Sequence, residues 1–226
     1  LRFIQDVVVN HAGDWVLREG GQSTLRAEPL AHWMHPDSGV YHDRSAIRDY
    51  EDPSEILNHE LSGLDDFRTE EAFIRRKMRS IYKEWVKRGN VDGFRLDTHR
   101  YVERDFWPSF FCGDEEEEGV RTYAESLWGR DFFTFGEVWS HSEADGFSGE
   151  LEMKQFLRTD TYEGVDAVLN FPLQQTLTRV FAEHASPVEL AYRLRIQSEV
   201  FNDPSRQLVN FIDNHDMARF RSLTSE

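Results

Sequence analysis

Four short apolar runs of this chain each close in a cluster of polar, chemistry-bearing side chains: "DVVVNH" at 6 to 11, "GFRLDTHR" at 93 to 100, "GEVW" at 136 to 139 and "FIDNHD" at 211 to 216. A strand turns alternate side chains to opposite faces. Runs that are apolar on both faces therefore suit parallel strands buried between layers of helix. Five segments read this way: Phe3 to Asn10, Val91 to Asp97, Phe132 to Trp139, Val165 to Phe171 and Gln207 to Asp213. Helical patterns separate them. Ile74, Met78, Ile81 and Trp85 recur at spacings of 4, 3 and 4 in a helix that follows Thr69 and ends near Arg88-Gly89. Ser186, Pro187 and Glu189 predict a helix start with a capping box. Val120 to Leu127 and Thr176 to His184 read as two more helices.

Alternating strands and helices imply a βα-repeating sheet, either doubly wound or closed into a barrel. Open sheets gather their functional loops at one reversal of strand order, whereas a barrel brings the carboxyl ends of many strands to one mouth. Successive polar strand ends favour the barrel, so residues 1 to 226 are read as one catalytic barrel segment. The stretch 12 to 68, rich in His, Asp, Gly and Pro, is too long for a simple βα connection and is read as a loop excursion over the active-site face.

Composition narrows the partners. A net charge of -16 and the run "DEEEEG" at 114 to 119 exclude a nucleic-acid partner, which would need phosphates neutralised by Lys and Arg. No stretch approaches the roughly 20 apolar residues of a membrane span, so no membrane partner is expected. Cys112 is the single cysteine, which rules out an internal disulfide; it is read as a small buried hydrophobe.

If the strand ends converge, Asp97, Glu137 and Asp216 share a mouth with Arg95, His11 and His215. Three carboxylates together repel, so one is expected to keep its proton. A retaining glycosidase needs that division, one carboxylate ionised to attack the anomeric carbon and another protonated for the leaving oxygen. Arg95 lies two residues from Asp97 on the same strand face and would hold it ionised. Asp97 is then the nucleophile and Glu137 the acid/base.

In order and spacing, the four runs are similar to the four motifs of the α-amylase family, glycoside hydrolase family 13. "GLDDFRTE" at 63 to 70 looks like a further motif of that family. The resemblance implies a (β/α)8 TIM barrel, present in part from about its third to its seventh strand. It implies retaining, double-displacement hydrolysis of α-1,4-glucan or maltooligosaccharide, hence a neutral oligosaccharide or polysaccharide as partner. By motif position Asp97 resembles the nucleophile, Glu137 the acid/base, and Asp216 the third carboxylate that binds sugar hydroxyls. Arg95, His11 and His215 resemble the residues around the reacting glucose. Arg100 and Tyr101 stand where many members carry a Lys-His pair, a departure on the acceptor side, and are taken with Trp139 as substrate contacts. The chemistry requires no cofactor; a structural calcium would draw on Asn10 and on Asp65 or Asp66. An extracellular or periplasmic location is implied, with a cytoplasmic one open. The same motifs serve transglycosylases and enzymes acting on sucrose or α-1,6 linkages, because loops choose the acceptor.

Plainer readings stand beside these. His32, His35 and His42 are read as solvated loop histidines rather than a metal cluster, His42 keeping a place as a sugar contact. Trp33, Tyr41, Trp139 and Phe171 could stack on sugar or simply pack, and the acidic run is read as a solvated loop. The chain opens almost inside a strand and is read as a piece of a longer protein. An open sheet edge would then invite association of two copies. A silent fragment that at most binds carbohydrate is the alternative to an enzyme.

Overall fold

The computed structural model describes residues 2–19, 22–26 and 31–224; positions 20, 21 and 27–30 of the expected excursion 12 to 68 lie outside the described residues. The chain forms two compact units, Leu1–Phe132 and Phe133–Glu226.

In the first unit, β1 (Ile4–Val7) is followed by an antiparallel hairpin of β2 (Val16–Glu19) and β3 (Gln22–Leu25). After the short α1 (Pro53–Asn58) come α2 (Ala72–Gly89), β4 (Gly93–Leu96), α3 (Phe106–Cys112) and α4 (Val120–Trp128). Strands β1 and β4 pair in parallel, with Asp6 opposite Arg95 and Val7 opposite Leu96. All four residues of β4 are buried, as a strand covered on both faces demands.

The helical period in α2 differs from the expected one. Ile74, Met78 and Val86 are buried, and Tyr82 lies on the same i, i+4 row, whereas Trp85 is 55% exposed. A row at spacing four carries the core side, and Trp85 falls about 100° off it. The helix ends on Asn90 in the left-handed conformation, with Gly89 still inside it. Cys112 is exposed, not buried. The buried side of α3 is Phe106, Trp107, Phe110 and Phe111, and position 112 points away from that row.

The acidic run is an exposed loop, as expected, but it is tethered at two points. Arg79, 1% exposed at its side chain, donates to Asp114 Oδ2 at 2.6 Å, and Lys83 meets Glu117 at 2.5 Å, so the run is tied to α2. Burial alone works to raise the Asp114 pKa, but the Arg79 guanidinium and the amides of Glu116 and Glu117 hold it below the usual carboxylate value. A depressed folded pKa stabilises the fold above the unfolded value and is lost as pH falls through the folded one. Asp114→Asn is therefore expected to lower the thermal midpoint at neutral pH. The gap to wild type should close as pH falls below about 3.8, the ordinary Asp value. Melting curves from pH 7 to pH 2 check this, and a gap independent of pH would contradict it.

In the second unit β5 (Phe133–Gly136), α5 (Ser148–Lys154), β6 (Ala167–Leu169), α6 (Phe171–Phe181), α7 (Pro187–Val200), α8 (Pro204–Gln207), β7 (Leu208–Val209) and α9 (Phe220–Leu223) follow in order. Strands β5 and β6 pair in parallel, as do β6 and β7. Helix α6 starts at Phe171, ahead of the expected Thr176, because the Asn170 side chain accepts from Leu173 N and Pro172 sits in the first turn. At α7 only half of the capping box forms. Ser186 Oγ accepts from Val188 N, while Glu189 turns to Arg179 at 2.9 Å. Among the described residues no helix is long and apolar enough to cross a membrane.

Candidate active site

Register builds the centre of the first unit. Because Asp6 faces Arg95 across β1 and β4, the guanidinium reaches Asp6 Oδ1 at 2.8 Å and Asp97 Oδ1 at 2.5 Å from one nitrogen. Arg95 is 8% exposed, so its charge is compensated by two carboxylates rather than by water. Asp97 lies just past the end of β4, where its amide donates to Val7 O at 2.9 Å. Thr98 then takes a left-handed conformation, φ 49°, costly for a β-branched residue, and throws the chain into a turn at His99–Tyr101.

His99, fully buried, stacks on Trp107 with centroids 3.8 Å apart, and burial pushes its pKa down to about 3. It is a neutral ring packed two residues after the nucleophile candidate. Tyr82 pins the other strand end: its hydroxyl donates to Val8 O at 2.6 Å and accepts from Val8 N at 3.1 Å, and burial pushes it up to about 12. His11 follows two residues after Val9; burial lowers its pKa against the opposing pull of the Asp97 charge. Its Nδ1 lies 3.0 Å from Asn10 Oδ1. Arg100 lies over the Tyr101 ring at 5.7 Å.

The structure therefore brings Asp97, Arg95 and His11 together in this unit, and adds Asp6 and Tyr82, which the sequence reading did not single out. Asp6 was visible as the first letter of "DVVVNH", but only the strand register shows that it shares a guanidinium with Asp97. No periodic signal points to the Tyr82 hydroxyl.

Asn10 Nδ2 donates to Asp66 Oδ1 at 2.7 Å and to the Tyr101 carbonyl at 3.0 Å. Asp66 Oδ2 lies 2.6 Å from His42 Nδ1, and burial pushes the Asp66 carboxyl up to about 7. Asp65 turns elsewhere, its Oδ2 accepting from the amides of Trp15 and Val16. A calcium ion needs six to eight oxygen ligands. Here the Asn10 amide donates to Asp66 Oδ1 and to the Tyr101 carbonyl, and the His42 ring meets Asp66 Oδ2, so the oxygens of this corner are already engaged by nitrogens and the arrangement does not fit calcium. His42 is accordingly no solvated loop residue, whereas His32 is exposed. Tyr41, 7% exposed, stacks on Phe67 at 5.0 Å, and Trp33 stacks on the same ring at 5.8 Å; both are packing residues here.

In the second unit Glu137, 6% exposed, follows directly on β5. Trp139 stacks on Phe171 at 4.8 Å, and Phe171, 1% exposed, also meets Phe211 edge-on at 5.1 Å. Phe171 is thus packing, and it backs the Trp139 ring. A cavity of about 550 Å³ opens there, lined by Trp139, His141, Phe171, Gln175, Arg193 and Met217 among others. That volume suits a small ligand, and its aromatic wall suits the apolar face of a sugar. Beyond β7, His215 and Asp216 are exposed, with Nε2 and Oδ2 3.1 Å apart. The segment is held by Asp213, which accepts from Phe220 N at 2.8 Å and Arg219 at 2.7 Å. Those two contacts draw its pKa below the ordinary value, the amide first.

The model of the α-amylase catalytic domain matches residues 1–226. The chain belongs to the α-amylase family. It is 28% identical over 197 residues to an α-amylase of Streptomyces lividans, covering 86% of this chain and 19% of that protein. It is 27% identical over 190 residues to a cyclomaltodextrin glucanotransferase of Klebsiella oxytoca, covering 81% of this chain and 26% of that protein. Among solved structures, an α-amylase of Geobacillus thermoleovorans complexed with acarbose superposes with a TM-score of 0.72 at 26% identity, over 99% of this chain and 42% of that one. The chain thus spans less than half the length of each of these relatives. Its fold is α/β, part of the barrel type of those α-amylases.

Proposed function

We propose that the protein is a retaining α-glycoside hydrolase acting on α-1,4-glucan or maltooligosaccharide. The observation that carries this reading is Asp97 at the carboxyl end of β4, oriented by an Arg95 guanidinium that it shares with Asp6. Such a carboxylate is positioned as an oxygen nucleophile and cannot swing away without losing a charge-assisted bond.

In the proposed mechanism Asp97 attacks the anomeric carbon and forms a glycosyl ester while Glu137 gives its proton to the departing glycosidic oxygen. Glu137 then takes a proton from water, whose oxygen displaces Asp97 and restores the starting configuration. Asp216 binds hydroxyls of the same glucosyl unit, and His11 and His215 add contacts to it. Trp139, backed by Phe171, offers an aromatic face to an acceptor-side sugar. Few positive charges accompany these groups, so a neutral sugar suits them better than a phosphorylated or uronic one. No step needs a metal or an organic cofactor.

Transfer to a second sugar is the competing outcome of the same chemistry, and the similarity to a cyclomaltodextrin glucanotransferase favours keeping it in view. The test is a product assay on maltoheptaose, sucrose and isomaltose, followed by NMR of the anomeric proton, with Glu137→Gln alongside. Maltoheptaose is expected to yield α-configured products, with turnover down roughly a hundredfold or more in E137Q, the scale of a lost general acid/base. Initial β-products would overturn retention, and turnover of sucrose alone would overturn the substrate. A predominance of longer oligosaccharides would establish transfer. In a ligand-bound crystal structure the Asp97 and Glu137 carboxyls are expected about 5 to 5.5 Å apart.

A further inference from the structure

The segment that carries "GLDDFRTE" is fastened to the end of β1 by side-chain and backbone hydrogen bonds. Asp66 and Asn10 are each 1% exposed, so the bonds between them form out of water. Asn10 Nδ2 bridges Asp66 Oδ1 at 2.7 Å and the Tyr101 carbonyl at 3.0 Å, which links three separate stretches through one amide. On the far side of Asp66, His42 Nδ1 lies 2.6 Å from Oδ2, and His42 Nε2 lies 3.3 Å from Glu70 Oε1. The ring is fixed by its own backbone, since His42 N donates to Asp66 O at 2.9 Å. Phe67 N donates in turn to Asn10 O at 2.8 Å.

A divalent cation at such a corner would do two things: neutralise the buried Asp66 carboxyl and hold it against the Asn10 and Tyr101 oxygens. Here the His42 ring stands against Asp66 Oδ2, and the Asn10 amide holds Oδ1 to the Tyr101 carbonyl. To offer Oδ1 to a cation, the Asn10 amide would have to turn over and give up both bonds. We infer that the His42 imidazole, with the Asn10 amide, takes the place of a structural calcium ion in this protein, so that the joint between β1 and residues 66 to 70 is independent of calcium. This goes beyond the proposed hydrolase activity and does not depend on it.

The test is the thermal midpoint of the protein dialysed against EDTA, compared with the same protein in millimolar calcium chloride, together with a calorimetric titration of calcium. The expected result is one midpoint in both conditions and no saturable heat that depends on Asp66. A native-state site filled a hundredfold above its dissociation constant would raise the midpoint by several degrees. Such a rise, lost in Asp66→Asn, would overturn the inference. His42→Ala is expected to lower the midpoint by several degrees, and His42→Gln, which keeps an N–H donor, by less. Equal midpoints for His42→Ala and wild type would overturn it as well, and the wild-type comparison decides even where that variant does not fold.

Discussion

Replacing Asp97 by asparagine is expected to abolish turnover, by roughly 10⁴-fold or more in kcat, the scale on which a lost nucleophile acts in enzymes of this covalent type. The substitution keeps shape and volume, and the amide oxygen can still accept from Arg95 Nη1, now 2.5 Å from Asp97 Oδ1. Folding and sugar binding should therefore persist. The result to look for is split: a thermal midpoint near wild type, a Kd for maltoheptaose within about tenfold of the wild-type KM, and no burst of product from an activated glucoside. Turnover unchanged in D97N would remove Asp97 from the nucleophile role. Loss of the fold would show instead that Asp97 is a counter-ion for Arg95. Arg95→Lys makes a useful companion, since an ammonium on a flexible stem fixes the charge between Asp6 and Asp97 less rigidly than the planar guanidinium; activity should fall while stability changes less.

The second large effect is on stability. Arg193 and Glu150, 1% and 0% exposed at their side chains, form an ion pair at 2.7 Å in the second unit. Removing one member of such a pair leaves a buried charge without compensation, which costs about 3–5 kcal/mol. Glu150→Leu is thus expected to lower the thermal midpoint on the order of 10 °C. The effect should reach the candidate site. Arg193 also donates to the carbonyls of Gly146 at 2.9 Å and Glu143 at 2.7 Å, and Ser142 Oγ donates to Glu150 at 2.5 Å. These bonds hold the loop that runs on from Trp139, so E150L should raise the KM for long maltooligosaccharides more than for an activated monoglucoside. The double variant E150L/R193L should lose less than the sum of the two single losses, because the removed charges compensated each other. Strict additivity in denaturant titrations would show that the two side chains act independently.

Much of this was legible in the sequence because it depends on local chemistry. Strands β1, β4, β5, β6 and β7 lie within the apolar runs that predicted them, while the hairpin of β2 and β3 was not foreseen, and Asp97, Glu137 and Asp216 stand beyond strand ends because "FRLD", "GEVW" and "FIDNHD" place a carboxylate at or after the close of the apolar run. The arginine beside Asp97 was equally visible, since a spacing of two fixes a shared face whatever the sheet does. Other features could be decided only by the tertiary structure. Trp85 and Val86 are both apolar neighbours on one helix, and only the packing side of α2 leaves the first exposed and buries the second. The acidic run is exposed, as its composition predicted, but nothing local reveals that Arg79, 35 residues earlier, tethers Asp114. Asp6 became a partner of Arg95, 89 residues away, through parallel register alone. His42 and Asp66 likewise meet only in the folded chain, 24 residues apart. The physical reason is one of range: periodicity and capping are written in bonds spanning about four residues, so a sequence displays them directly. Partners for buried charge are chosen by desolvation, which acts only once the chain has closed around them.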